Sequence, residues 1–106
     1  MRTPPGLRRQ RSALPPPSTL RASGELGPET AAALSAAATA ARSQAATGVI
    51  VDLTAVRYLT LETLAPLLAL ARDCRDTGLT LRIHPSPAVR SKIRLTGLTA
   101  LLPLRP

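Results

Sequence analysis

Apolar residues recur along the chain at two spacings, one typical of helices and one of strands. The segment 29–46 holds no Gly or Pro, and a helical apolar stripe is formed by Leu34, Ala37, Ala38, Ala41 and Ala45. A second helix is predicted over 61–77, with Gly78 as its stop and with one apolar side made by Leu64, Leu67, Leu68, Ala71 and Cys74. A third helix is predicted from 87 to 97, with its apolar positions at Val89, Ile93 and Leu95.

Three shorter segments are predicted as strands. Residues 18–23 are predicted as a short strand that ends at Gly24. Residues 24–28 are predicted as a turn before the first helix. Residues 49–53 are a β-branched run with little alternation, which indicates a central strand or one covered on both faces. Residues 79–83 alternate apolar and polar positions. The apolar tail 98–104 must pack against the rest of the domain.

The order of these segments predicts the fold class. Strands that alternate with helices are typical of an α/β domain with a mixed, partly parallel sheet flanked by helices. The Pro-rich and Arg-rich residues 1–17 show no period and are interpreted as an irregular basic leader, so the domain itself is expected over 18–104. The chain has no Phe or Trp and a single aromatic residue, Tyr58, so Leu, Ala, Val and Ile must build the core.

Charge is unevenly distributed along the chain. The formal net charge is +8, and the first 22 residues hold five of the 14 basic residues and no acidic one. Such an arm is suited to contact with nucleic acid or an anionic membrane, but its prolines favour a solvated tail. No segment is apolar enough to span a membrane, and the single cysteine, Cys74, excludes an internal disulfide. A reducing, cytoplasmic location is therefore expected.

No catalytic or metal-binding pattern is found in the sequence. His84 is the only histidine and has no ligand pattern around it, and Cys74 falls on an apolar helix face. Neither a nucleophile elbow nor a glycine-rich phosphate loop is present. We therefore expect a protein that is not an enzyme, needs no metal or cofactor, and does not bind DNA directly, since it lacks aromatic residues for base stacking.

A set of short blocks, in order, resembles the STAS domain family. The blocks are Gly24-Glu25-Leu26 before a helix, residues 49–56 followed by Tyr58-Leu59, residues 78–83, residues 85–90, and residues 95–98. Each block is weak alone, but their succession at the expected spacings over residues 18–104 is specific. The resemblance is to the anti-sigma factor antagonists of this family, and it implies a bacterial, cytoplasmic regulatory domain.

In that branch of the family, the resemblance implies a partner-switching role in transcription control. The domain binds an anti-sigma factor that is also a GHKL-type serine kinase, and binding releases a sigma factor. Phosphorylation of a Ser at the start of the second helix switches binding off. The implied partner-binding residues here are Thr60, Leu61, Glu62 and Thr63, together with Gly27, where the family often has Asp.

The switch segment departs from the family pattern. It usually reads Asp-Ser-Ser-Gly-Leu, and the aligned residues here are 60–64, in which Glu62 stands at the phosphoserine position. Glu62 is interpreted either as a permanent partial mimic of the phosphate or as an ordinary acidic residue in the first turn of a helix. Thr60 and Thr63 are the alternative phosphoacceptors. Pro66 would interrupt a helix that began at Thr60, so the helix either begins nearer Thr63 or is kinked.

Two other functions stay open from the sequence. STAS domains also serve as scaffolds or accessory subunits of lipid-transport complexes, and the resemblance implies this alternative as well. The basic arm is also compatible with a small anionic ligand.

Overall fold

A computed structural model describes residues 17–104 of the chain. The leader predicted over 1–17 therefore lies outside the described residues except for Pro17, and its interpretation as an irregular arm stays a prediction. The described residues begin at the strand that was expected to open the domain.

Strands and helices alternate along the described residues, as the sequence predicted. The elements are β1 (Ser18–Leu26), α1 (Ala31–Gln44), β2 (Gly48–Leu59), α2 (Leu64–Thr77), β3 (Thr80–Pro85) and α3 (Pro87–Leu95). Short 3-10 turns, Pro28–Thr30 and Leu61–Thr63, precede α1 and α2. Each strand is thus followed by a helix, which is the condition for a parallel sheet.

The three described strands form one sheet in the order β1-β2-β3, so β2 is central. Both strand pairs are parallel: β1 joins β2 from Ser18↔Val49 to Leu26↔Leu59, and β2 joins β3 from Gly48↔Thr80 to Leu53↔Pro85. The prediction of an α/β domain with a sheet flanked by helices is confirmed, and every strand pairing within residues 17–104 is parallel. The run 49–53 lies in the central strand, as one of its two interpretations required.

The core lies between the helices and one face of the sheet. Alternate residues of β2, namely Val49, Val51 and Leu53, are almost fully buried. The opposite face carries exposed polar side chains from all three strands: Thr19, Arg21, Thr54 and Arg82. Small residues of α1, Ala38 and Ala41, let that helix pack closely against its neighbours. One face of the sheet therefore supplies the core, and the other is polar.

Strand β1 is longer than the sequence predicted, because Gly24 does not end it. Gly24 has φ 79°, a conformation that L side chains rarely adopt, and the register of β1 against β2 shifts on both sides of it. The predicted turn over 24–28 is therefore wrong for residues 24–26, which continue the strand as far as Leu26. Strand β1 therefore continues through the bulge at Gly24 toward the start of α1.

The proline in α2 is explained by where that helix begins. The α-helix starts at Leu64 with Thr63 as its N-cap residue, so Pro66 lies in its first turn. Backbone N–H groups in the first turn have no partner within the helix, and proline is tolerated there. Of the two outcomes expected from the sequence, the later start is the correct one. Gly78 ends the helix in the left-handed conformation, with φ 76°.

The C-terminal segment comprises α3, which is capped at its first turn, and a tail that packs against the rest of the domain. The Ser86 hydroxyl caps α3 by accepting a hydrogen bond from the Val89 N–H at 3.1 Å. Leu95, one of the three apolar positions of the predicted helix, is 82% exposed at the end of α3. The expected packing of the tail is confirmed by Leu102, which is buried, and by the Ile83 N–H, which donates to the Pro103 carbonyl.

Candidate functional site

Two strand-to-helix turns lie side by side at the carboxyl edge of the sheet. The first is residues 27–30, after β1, and the second is residues 60–63, after β2; we call them turn A and turn B. Leu26 and Leu59, the last residues of the two strands, are register partners. The Thr60 N–H donates to the Leu26 carbonyl at 3.0 Å, which fixes turn B against the end of β1. Parallel pairing therefore brings together all five residues expected at the site.

Both turns are closed by the same hydrogen bonds. In turn A, the backbone N–H and the hydroxyl of Thr30 donate to the Gly27 carbonyl at 3.0 and 2.7 Å. In turn B, the same two groups of Thr63 donate to the Thr60 carbonyl at 3.1 and 2.7 Å. The shared Glu-Thr sequence, at 29–30 and 62–63, explains the likeness. It sets Glu29 and Glu62 at equivalent, exposed positions of neighbouring turns.

Gly27 stands where the resembling family often has Asp, and the carboxylate of Glu29 lies over it. A Cβ atom at position 27 would lie 2.5 Å from Glu29 Oε1. The backbone of Gly27 has φ −101°, which other residues adopt freely, so the Glu29 side chain is what fills this space. Turn A thus presents a carboxylate beside turn B although position 27 has no side chain.

Glu62 is exposed and holds its negative charge strongly. Its own backbone N–H donates a hydrogen bond to the carboxylate, and this bond is the main reason why the pKa of Glu62 lies below its usual value of 4.5. The nearby Thr60 hydroxyl is the second cause. A carboxyl group that favours its ionised form therefore lies in the first turn after β2, where the helix N-terminus also favours anions.

Neither threonine of turn B offers an exposed hydroxyl. Thr63 is 0% exposed, and its Oγ1 is bonded to the Thr60 carbonyl. The Oγ1 atom of Thr60 is buried; it lies close enough to the Glu62 carboxylate to help lower the pKa of that group, but the contact does not have the geometry of a hydrogen bond. Of the residues expected to contact a partner, Leu61 and Glu62 are exposed. Gly27 and Thr60 are partly buried, and Thr63 is buried.

Tyr58 belongs to the same edge, although the sequence indicated no role for it at the site. It is 53% exposed on β2, two residues before turn B, and Leu61 within the turn is 59% exposed. The Nζ atom of Lys92, on α3, lies 5.7 Å from the centre of the Tyr58 ring. The signal in the sequence was that the only aromatic residue of the chain stands next to the switch segment.

The other reactive side chains do not join this site. Cys74 is buried in α2, and burial raises the pKa of its thiol, as suits a core residue. His84 lies on β3, opposite Asp52 in the register of the sheet. Within residues 17–104, no group of three or more His, Cys, Asp and Glu side chains is placed to hold a metal ion. No helix in this range is both long and apolar enough to cross a membrane.

Comparison with family models identifies the family of this domain. The model of a family described as "Mlab, STAS domain" matches residues 10–103. Because the match spans most of the chain, the protein belongs to this STAS domain family. The match begins inside the predicted leader, eight residues before β1. A search of curated proteins gave no significant match.

Solved structures with the same fold include an anti-sigma factor antagonist and a protein assigned to that class. A protein from Thermotoga maritima assigned as an anti-sigma factor antagonist gives a TM-score of 0.71 at 16% identity, over 81% of this chain and 75% of that one. The anti-sigma factor antagonist SpoIIAA in its unphosphorylated form gives a TM-score of 0.67 at 21% identity, over 83% of this chain and 78% of that one. At these identities, the comparison establishes the shared fold.

Proposed function

We propose that this STAS domain is a regulatory, non-enzymatic module that binds a protein partner through turn B, and that the partner is an anti-sigma factor of the GHKL-type serine kinase class. The observation that carries the proposal is the exposed pair Leu61 and Glu62 on a turn that is hydrogen-bonded to the end of β1. A preformed turn loses little conformational entropy on binding. The fold shared with an anti-sigma factor antagonist and a protein assigned to that class supports the choice of partner.

In this proposal the phosphorylation switch is absent. Glu62 at the acceptor position has no hydroxyl, the hydroxyl of Thr63 is bonded and fully buried, and that of Thr60 is buried. A kinase would have to open the turn to reach either threonine. The affinity of the domain for its partner is therefore independent of ATP. The fraction of partner that is bound then depends on the concentrations of the two proteins.

A binding titration with the purified kinase-type anti-sigma factor of the same organism tests this function. Leu61→Asp places a charge where an exposed apolar side chain now lies, and Ala36→Asp makes the same change at an exposed position of α1. We expect Leu61→Asp to weaken binding at least about tenfold and Ala36→Asp to leave it unchanged. Equal effects of the two variants, or absence of binding by the wild type, would reject the proposed surface or the proposed partner.

A second candidate, an accessory subunit of a lipid-transport complex, is favoured by the description of the matched family as "Mlab, STAS domain". Turn B would then contact a transport subunit, and no sigma factor would be released. Affinity purification of the full chain from its native host discriminates the two candidates. Recovery of membrane transport components that Leu61→Asp fails to capture would favour the second.

A further inference from the structure

Beside turn B, two large exposed side chains stand three residues apart. Tyr58 and Leu61 are both more than half exposed, although each is large and able to bury much apolar area. Tyrosine in such a position is typical of residues that dominate the energy of protein interfaces. We propose that Tyr58 and Leu61 anchor a basic segment of the partner protein, an inference that rests on the proposed function and specifies the chemistry of the partner.

Three acidic residues lie on the elements that meet at this edge of the sheet. Glu25 is the register partner of Tyr58 on β1, Glu29 lies on turn A, and Glu62 lies on turn B. All three are exposed, and within residues 17–104 none of them forms an ion pair. Three of the six acidic residues of a chain with net charge +8 are therefore placed at one edge.

The charge distribution decides which occupant fits. Arg57, next to Tyr58 in β2, and Lys92, near the Tyr58 ring, are cations at the same edge, and the three carboxylates outnumber them. Arg or Lys side chains of a protein segment would therefore be favoured over nucleic acid or anionic lipid. An apolar side chain between those basic groups would contact Tyr58 and Leu61. The partner segment is therefore basic and carries at least one large apolar residue.

Lys92 lies beside the anchor. Its ammonium group is placed near the Tyr58 ring at 5.7 Å, and Lys92 itself is partly buried on α3. A cation at this distance is attracted to the face of an aromatic ring.

A set of three peptides tests the chemistry without the anti-sigma factor. Each peptide has the core Leu-Val-Leu, flanked on both sides by three Arg, three Gln or three Glu residues. They are titrated into the isotope-labelled full chain, and the amide and side-chain NMR shifts are followed. We expect the Arg-flanked peptide to bind at least about tenfold tighter than the Glu-flanked one, with shifts at Tyr58 and Leu61. Absence of shifts there at millimolar Arg-flanked peptide, or equal affinities, overturns the proposal.

Matched variants separate the anchor from other exposed apolar residues. Leu101 is 54% exposed but lies beside Ala71 and Leu81, so Leu101→Ala is the control for Leu61→Ala. Tyr58→Ala and Leu61→Ala should each weaken the Arg-flanked peptide at least about fivefold, and Leu101→Ala should have no effect. Tyr58→Phe should retain most of the affinity, because it keeps the ring. Equal losses for Leu61→Ala and Leu101→Ala overturn the anchor.

Further outcomes distinguish this inference from the proposed function. If the anti-sigma factor does not bind but the Arg-flanked peptide binds at Tyr58, the proposed function fails and the partner chemistry stands. If the anti-sigma factor binds equally to wild type and Tyr58→Ala, the anchor fails and the function stands. A dimer in sedimentation that Tyr58→Ala abolishes would show that a second copy of the chain is the occupant, which overturns the choice of a separate partner.

Discussion

Turns A and B are closed by the same hydrogen bonds but are buried to different extents. In each, a Thr N–H and hydroxyl bind the carbonyl three residues earlier, at nearly equal distances. Thr30 of turn A is only partly buried, whereas Thr63 of turn B is 0% exposed and is followed by the buried Leu64. The difference teaches that the same hydrogen bonds shape both turns, while burial fixes Thr63 in the core at turn B and leaves Leu61 and Glu62 as its exposed residues.

The largest effect that follows from this comparison is on stability. Thr63→Glu forces a larger, charged side chain into a filled interior, whereas Thr30→Glu adds a carboxylate near the start of α1, where negative charge is favoured. We expect the first to lower the free energy of unfolding by at least about 3 kcal/mol and the second by less than about 1 kcal/mol. Urea denaturation of both variants measures the difference, and equal losses would show that the turns pack alike.

The carboxylates of the two turns give the next largest effect. Exposed charges at an interface contribute modestly, so Glu29→Gln and Glu62→Gln should each weaken binding of the anti-sigma factor by about two- to fivefold. Raising the salt concentration should reduce both differences. The two interpretations of Glu62 separate here. Tighter binding by Glu62→Gln would identify the carboxylate as a phosphate mimic that opposes binding, and would contradict its place in an acidic anchor.

The residues before β1 should matter less than either turn. Removal of residues 1–17 is expected to change the melting temperature by less than about 4 °C, because the segment is rich in proline and lacks an apolar period. Since the family match begins at residue 10, removal of residues 1–9 serves as the milder comparison. A large loss on removing 1–17, with none on removing 1–9, would show that residues 10–17 contribute to the fold.

The smallest effect concerns pH. The pKa of Glu62 is lowered in the folded state, so its ionised form stabilises the fold above the unfolded pKa, and this contribution is lost as pH falls through the lower, folded value. The difference in unfolding free energy between wild type and Glu62→Gln should therefore be constant from about pH 6 to 8 and shrink below the usual value of 4.5. A difference that changed between pH 6 and 8 would point to another titrating group.

The fold was largely predictable because its signals are local. The apolar stripe of α1, the β-branched run 49–53 and Gly78 each determine one element without reference to the rest. Gly24 misled the prediction, because a glycine inside a bulged strand has the same sequence signal as one in a turn. The exposure of Leu95 was not predictable, since three apolar positions on a short helix do not say how far the covered surface extends.

The sequence indicated which residues form the candidate site but not how their side chains pack. The resemblance indicated residues 60–63 and Gly27, and the parallel register places the two turns together. It could not indicate that Thr63 is buried, that the Glu29 carboxylate lies over Gly27, or that Lys92 lies near Tyr58. These are contacts between segments far apart in sequence or details of side-chain packing, for which the sequence carries no local signal.

The central claim is that turn B binds its partner without a phosphorylation switch. The most direct measurement is to incubate wild type and Glu62→Ser with the kinase-type anti-sigma factor and ATP, to locate phosphate by intact-mass and peptide mass spectrometry, and to titrate binding before and after. We predict an unmodified wild type whose affinity is the same with and without ATP, and a Glu62→Ser variant that is phosphorylated at position 62 and whose affinity therefore changes with ATP. Stoichiometric phosphate on Thr60 or Thr63 of the wild type, with an accompanying loss of affinity, would contradict the claim.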